Sequence, residues 1–534
     1  MGTMWVNGNI YTMEEEGKTV EAVYTSNGIV HATGTKKEIE RFLTSDDSVY
    51  DLERSTMFPG FTDSHLHMIS LGQAMLRLDL SGCKTALEMI ERLKEKARTL
   101  KPGQWLLGDG WNENNFPDRK VLSRKELDDI APNHPVFLTR ICRHAALANS
   151  KALELANVTM NTPNPQGGMI ERDKDGLPTG YLLDQALELV RKVQPKITDD
   201  MLRDALDQAV SVMLQKGLTG GHTEDLSYYG SFHRTFQTFQ EVIGQKNRLF
   251  RVHLLVHHDI LSDMRREGWR HGKVNEYLSF GAVKIFADGA LGGRTALLRE
   301  DYSDQPGNSG VAVYTRDQLK ALVKCARNEQ MPVAIHAIGD LALEHAVEAL
   351  EQHPPPPGQR DRIIHAQITP PDLVERLKRL PVVLDIQPHF VLSDFPWVKE
   401  RLADERISHS YAWKTLLSEN ILCAGGSDAP IEAVDPLQSI QAAVTRKHRG
   451  QLGEGYISRE RLTPYEAVYL YTVGSAQAAG KEKEFGKIAP GYYADFTILE
   501  KDILNMNVED IANVSVVGTV VHGEFQYHKR RSGH

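Results

Sequence analysis

The sequence predicts an α/β protein: a (β/α)8 TIM-like barrel, a small β-sandwich formed by both chain ends, and an inserted α+β domain after the first barrel strand. Three observations predict it. Short apolar runs alternate with amphipathic helical segments through the middle of the chain. Both ends carry β-rich, alternating patterns instead. One long segment, 71–196, interrupts the beat between the first two barrel strands, far longer than an ordinary βα connection.

At the N-terminal end, residues 4–13 alternate, and 22–31 is split by Asn27-Gly28, a two-residue hairpin signal. The run 57–67 is expected to be the first barrel strand. The insert is expected to hold a helix at 85–100 and strands near 105–107 and 136–139, and to lie over the barrel mouth. Thr198, Asp199 and Asp200 can cap a helix with Leu202, Leu206, Ala209, Val210, Met213 and Leu214 on one face. Gly217 ends it, and strand 218–222 follows. Runs 251–256 and 282–286 are strand-like. Helices at 316–328, 341–350, 372–380 and 413–417 lead into strands at 333–336, 363–365, 382–387 and 421–425. The tail returns to strands at 495–500, 514–521 and 525–527. The expected divisions are 1–56 with 486–534 for the sandwich, 57–70 with 197–485 for the barrel, and 71–196 for the insert.

Composition narrows the function classes. With 41% hydrophobic and 25% charged residues, the chain reads as soluble and globular. A formal net charge of −9 disfavours nucleic acid as a partner. No apolar run approaches a membrane span, so no membrane partner is expected. Residues 1–13 lack the apolar centre of a signal peptide, and Cys83, Cys142, Cys325 and Cys423 form no C-x-x-C pair. A cytoplasmic location with free, mostly buried thiols is the expectation. A homodimer is compatible with the sequence and not demanded by it. No G-x-S-x-G elbow is present, and 474–481 spaces its glycines wrongly for a phosphate loop, with Glu482 where Ser or Thr belongs.

Chemistry concentrates at strand ends. His65 and His67 lie two apart on a strand, so both imidazoles face one side and can share a metal ion. Alone that pattern is weak, and a lone histidine at a strand end is more often a satisfied structural residue. Lys284 sits inside the apolar run 283–286, an awkward place for an ammonium. His336 and His365 end the runs 333–336 and 363–365, and Asp428 follows the last strand. Only the C-terminal face of a barrel gathers side chains from so many strands around one point.

These residues carry a resemblance. The string 59–67, Pro-Gly-Phe-Thr-Asp-Ser-His-Leu-His, resembles the first-strand signature of the amidohydrolase superfamily. The stretch 283–291, VKIFADGAL, is similar to its branch called amidohydrolase family 3, which includes N-substituted formamide deformylases. Ala337-Ile338-Gly339-Asp340, Ile364-His365-Ala366, Gly426-Ser427-Asp428 and the tail 486–491 follow in the same order, and Gly110-Trp111, His144 and Asn149 match in the insert.

The resemblance implies two divalent metal ions, zinc by default for nitrogen and oxygen ligands. His65, His67 and Asp428 would hold the more buried ion, and His336 and His365 the outer one. Lys284 would be carboxylated and bridge both, because an ammonium has no lone pair to donate. Asp428 would be the catalytic base for hydrolysis of a C–N bond in a small-molecule substrate, whether amide, N-formyl or a related non-peptide bond. Trp111, His144, Asn149, Asp288, Arg294 and His389, with His222, are candidate substrate-pocket residues, each with a structural reading beside it. The rivals are a non-catalytic binding scaffold and a single-metal, deaminase-like relative on the same barrel.

Overall fold

The computed structural model describes residues 2–140, 145–165, 168–244 and 248–529, the Asn114 side chain excepted. Eight parallel strands run in sequence order through one sheet: β1 (Phe61–Leu66), β2 (Leu218–Thr223), β3 (Arg251–His257), β4 (Leu278–Phe286), β5 (Val333–Ala337), β6 (Asp361–His365), β7 (Val382–Ile386) and β8 (Leu422–Gly425). Such strands are covered on both faces, which is why they read as unbroken apolar runs. All of β1, β2, β6 and β7 is buried.

The barrel is nearly closed. Between β8 and β1 the join is made by the loop that follows β8. Asp428 N–H donates to the His65 carbonyl (2.8 Å), and His67 N–H donates to the Ala429 carbonyl (2.8 Å). Ser427 N–H donates to the Asp63 carboxylate at 3.1 Å. Gly426 permits this seam: a Cβ there would lie 2.7 Å from His65 N and 2.9 Å from its carbonyl oxygen. The functional loop is thus stitched to the strand carrying both H-x-H histidines.

Both chain ends build one β-structure. Strands Gly2–Tyr11, Thr19–Ser26, Ile29–Gly34, Ser48–Asp51 and Thr56–Pro59 join Phe496–Leu499, Val516–Val521 and Glu524–His528 in one hydrogen-bonded, eight-stranded sheet. It closes around Trp5, Ile10, Val23, Met57, Phe496, Ile498 and Val520. Asn27 (φ 50°) and Gly28 (φ 72°) form the hairpin tip that their dipeptide foretells. The run 57–67 is not one strand. Thr56–Pro59 pairs antiparallel with Phe496–Leu499 in the chain-end sheet, and only Phe61–Leu66 enters the barrel.

Residues 71–205 form a separate compact unit. Its six-stranded sheet contains Leu78–Asp79, Leu106–Trp111, Val136–Arg140, Ala145–Ala148, Gly168–Arg172 and Pro178–Asp184. Thr85 N-caps the helix Ala86–Thr99, which buries Met89 and Leu93. The helix Asp199–Gln215 crosses the division between the units and buries Leu202, Leu206, Ala209, Val210 and Met213. Cys83, Cys325 and Cys423 are free thiols, with Cys325 exposed. Among the described residues no helix is long and apolar enough to cross a membrane.

Candidate metal centre

Strand direction brings the chemistry together. His65 and His67 leave the end of β1 on one side, and Asp428 reaches them from the loop after β8. Asp428 Oδ1 lies 3.4 Å from both His65 Nε2 and His67 Nε2. One ligand atom from each of these residues falls within 4.8 Å of the others. Lys284, fully buried on β4, places Nζ 3.4 Å from His65 Nε2 and 4.6 Å over the Phe286 ring. His336 from β5 and His365 from β6 stand with ring centroids 4.5 Å apart, and His365 is 5.8 Å from His65. All six expected ligand residues therefore meet at the C-terminal ends of the strands.

Neighbours fix the tautomers. His67 Nδ1–H donates to the Glu224 carbonyl (2.8 Å), His365 Nδ1–H to Gln387 Oε1 (2.7 Å), and His336 Nε2–H to the Gly289 carbonyl (3.0 Å). Each bond leaves the other ring nitrogen with its lone pair, which is how histidine is prepared to hold a cation. Burial, reinforced by Lys284, keeps His65 well below the usual imidazole range. Burial and His365 do the same to His336, and burial brings His365 down to about 4. His67 is the exception: burial opposes its charge, but the hydrogen bond and charge of Asp428 outweigh this and lift it to about 9. Burial also lowers Lys284. Three buried imidazoles held neutral and a fourth drawn to the Asp428 carboxylate fit a divalent cation better than they fit a closed core.

The backbone holds two of these residues in the left-handed region, His365 at φ 76° and Asp428 at φ 56°. Non-glycine residues there cost about 1–3 kcal/mol, and such strain collects at functional sites.

The substrate-pocket expectations divide differently. Trp111 is buried in the insert's core, its indole N–H donating to the Leu138 carbonyl at 3.0 Å. Asn149, also buried, accepts from Val136 N–H (2.9 Å) and caps the helix Ser150–Leu155 through Ala152 N–H (3.1 Å). The polar atoms of both are engaged by the insert's own backbone. Asp288 is likewise buried and accepts from Leu297, Ile338 and Gly339 N–H at 2.8–3.0 Å; it buttresses His336, 3.5 Å away. Arg294 pairs with Asp304 at 2.7 Å. His389 pairs with Glu432 at 2.8 Å and keeps partial exposure. His222 is buried beneath the rim, and His144 lies outside the described residues.

Sequence reasoning missed the shell behind the ligands. Glu224 and Asp225, at the end of β2, are both fully buried, and Glu224 Oε2 lies 3.9 Å from His67 Nδ1 while accepting from Tyr228 Oη–H. Asp63, pushed up to about 7 by burial, accepts from the backbone of both His65 and Ser427. Arg362 bonds Asp385 (2.7 Å) and the Ser64 carbonyl inside the barrel. The acids directly after the β2 run were a usable signal, since they follow an apolar strand as Asp428 follows the last one.

Comparison with known proteins agrees with this geometry. The model of the amidohydrolase family matches residues 48–527. A Bacillus subtilis (strain 168) protein described as an amidohydrolase, YtcJ, is 46% identical over 531 residues, covering 99% of this chain and 100% of its own. The N-substituted formamide deformylase of Arthrobacter pascens is 27% identical, covering 99% of both chains. The crystal structure of an uncharacterized metal-dependent hydrolase from Pyrococcus horikoshii OT3 superposes with a TM-score of 0.79 at 32% identity, covering 95% of this chain and 99% of that one. The strand-end cluster and these full-length likenesses have one reading: the chain belongs to the amidohydrolase family.

Proposed function

We propose that this chain hydrolyses a C–N bond of a small molecule, an amide, N-formyl or related non-peptide bond. The observation that carries the reading is the convergence of His65, His67, Asp428, Lys284, His336 and His365 at one end of the barrel. The likeness to a protein named N-substituted formamide deformylase supports the choice of bond.

In this reading His65, His67 and Asp428 hold one divalent cation and His336 and His365 a second, with zinc the natural choice for such donors. Bound there, the metal supplies a water acidic enough to ionise near neutral pH. Lys284, deprived of water, is driven toward its neutral amine, which could add carbon dioxide with release of a proton and so supply carbamate oxygens as donors for the cations. Asp428 accepts the proton of the attacking water and delivers it to the departing nitrogen. Its seam to β1 keeps that carboxylate aimed while its charge changes. Glu224 and Gln387 hold His67 and His365 in the tautomers that leave lone pairs inward.

The test is turnover on a panel of N-substituted formamides, simple amides and aminated heterocycles, with metal counted per chain. Hydrolysis of formamides or amides with about two ions bound supports the reading. Deamination with a single ion points to the single-metal rival, and no turnover with a loaded site to the scaffold rival.

A further inference from the structure

One charged pair inside the barrel takes no part in the proposed chemistry. Arg362 on β6 is 1% exposed, and Asp385 on β7 is fully buried. Arg362 Nε–H donates to Asp385 Oδ2 at 2.7 Å, while its Nη2–H reaches the Ser64 carbonyl on β1. Strands β7 and β8 stand between β6 and β1 in the sheet order, so the guanidinium bridges strands that are not neighbours.

Both ends of this bridge lead to expected ligands. The Ser64 carbonyl belongs to the same peptide unit as His65 N–H. That N–H donates to Asp63 Oδ1 at 3.0 Å, and the His65 carbonyl accepts from Asp428 N–H at 2.8 Å. Arg362 thus holds the backbone beside His65 from across the barrel. At the other end, the Asp385 carbonyl accepts from Gln387 Nε2–H at 3.0 Å, and Gln387 Oε1 accepts from His365 Nδ1–H at 2.7 Å. The pair therefore links His65 to His365. Their ring centroids stand 5.8 Å apart, and the proposed function gives them to different cations.

Stability alone is a poor reason for such a pair. Desolvation opposes burying both charges, and apolar residues of like volume commonly serve a core as well or better. Arg362 Nη1 has no hydrogen-bond partner among the described residues, which is unfavourable in the same sense. What apolar residues lack is a planar fork able to hold a carboxylate and a carbonyl at once. We infer that Arg362, braced by Asp385, is a positioning residue that fixes His65 and His365 relative to each other for cation binding. The inference rests on the reading of the six rim residues as cation ligands.

The test is zinc affinity of the full-length chain, by competition with a chelator, beside the visible spectrum of its cobalt-loaded form. The deciding variant is Arg362→Met/Asp385→Leu, which removes both charges together and leaves neither partner unpaired. It is expected to fold, as circular dichroism would show. Its zinc affinity should nevertheless fall about ten- to a hundredfold, with a shifted cobalt spectrum. Arg362→Lys keeps the charge and loses the fork, so its affinity should fall by about threefold or more. Should the double variant not fold, the lysine variant decides. Wild-type zinc affinity in either folded variant overturns the proposal. So does a weaker affinity with an unchanged cobalt spectrum, the mark of general loosening. A wild-type chain that takes up no zinc overturns the metal reading itself, and this inference with it.

Discussion

The rim of the barrel gathers many buried polar groups and the core of the inserted unit only a few, and the two regions use them in opposite ways. In the insert, the Trp111 indole and the Asn149 amide are occupied by backbone partners. At the rim, His67, His336 and His365 each have one nitrogen occupied and the other turned toward its neighbours, and the buried His65 Nδ1 has no partner among the described residues. Polar atoms are buried in both regions, and hydrogen-bond capacity left open is what separates them. Open capacity at a buried site is unfavourable for folding alone and makes sense when something else binds there.

Substitutions can break that contrast. The largest effect is expected at the rim: His67→Ala should lower turnover roughly a thousandfold or more while the chain stays folded, because ligands of one site act as a unit. Steady-state kinetics with circular dichroism would check it, and near-normal turnover would place His67 with the framework residues. Trp111→Ala should do the reverse, removing ~3–5 kcal/mol of stability to denaturant. Activity per folded molecule should change little. Asn149→Ala should act in the same direction but less, by about 2 kcal/mol, for a lost cap and an unmet buried amide.

A smaller effect sharpens the comparison through pH. Asp394 is driven by burial to about 6 from an ordinary 3.8, although Tyr411 and Gln367 both donate to it. The folded chain then keeps a proton that the unfolded chain has lost. Its contribution to stability is present below the ordinary value and disappears as pH rises through about 6. Asp394→Asn should remove that decline, gaining on wild type by up to about 3 kcal/mol between acid and neutral pH in chemical denaturation. Arg294→Ala, at an exposed ion pair, should leave melting temperature and metal content unchanged.

How much of this was legible follows the same division. The barrel strands declared themselves because parallel strands buried on both faces are apolar runs, and five of them carry or lead into the candidate ligands His65, His67, Lys284, His336, His365 and Asp428. The break at Pro59-Gly60 was hidden: Met57-Phe58 and Phe61 are equally apolar, and only three-dimensional pairing assigns them to different sheets. The insert's strand Ala145–Ala148 carries no alternation to read. Trp111 and Asn149 read as pocket candidates because a sequence names a polar group without saying what already bonds it. Glu224 could not be linked to His67, since 157 residues separate the two.

The central claim is that the six rim residues exist to hold divalent cations. Its most direct test is elemental analysis of the purified chain, wild type beside His67→Ala and a His336→Ala/His365→Ala double variant. The account predicts about two zinc or similar ions per wild-type chain, with each variant losing at least one. A wild-type chain that binds no divalent metal after dialysis against zinc, yet still hydrolyses its substrate, would contradict it.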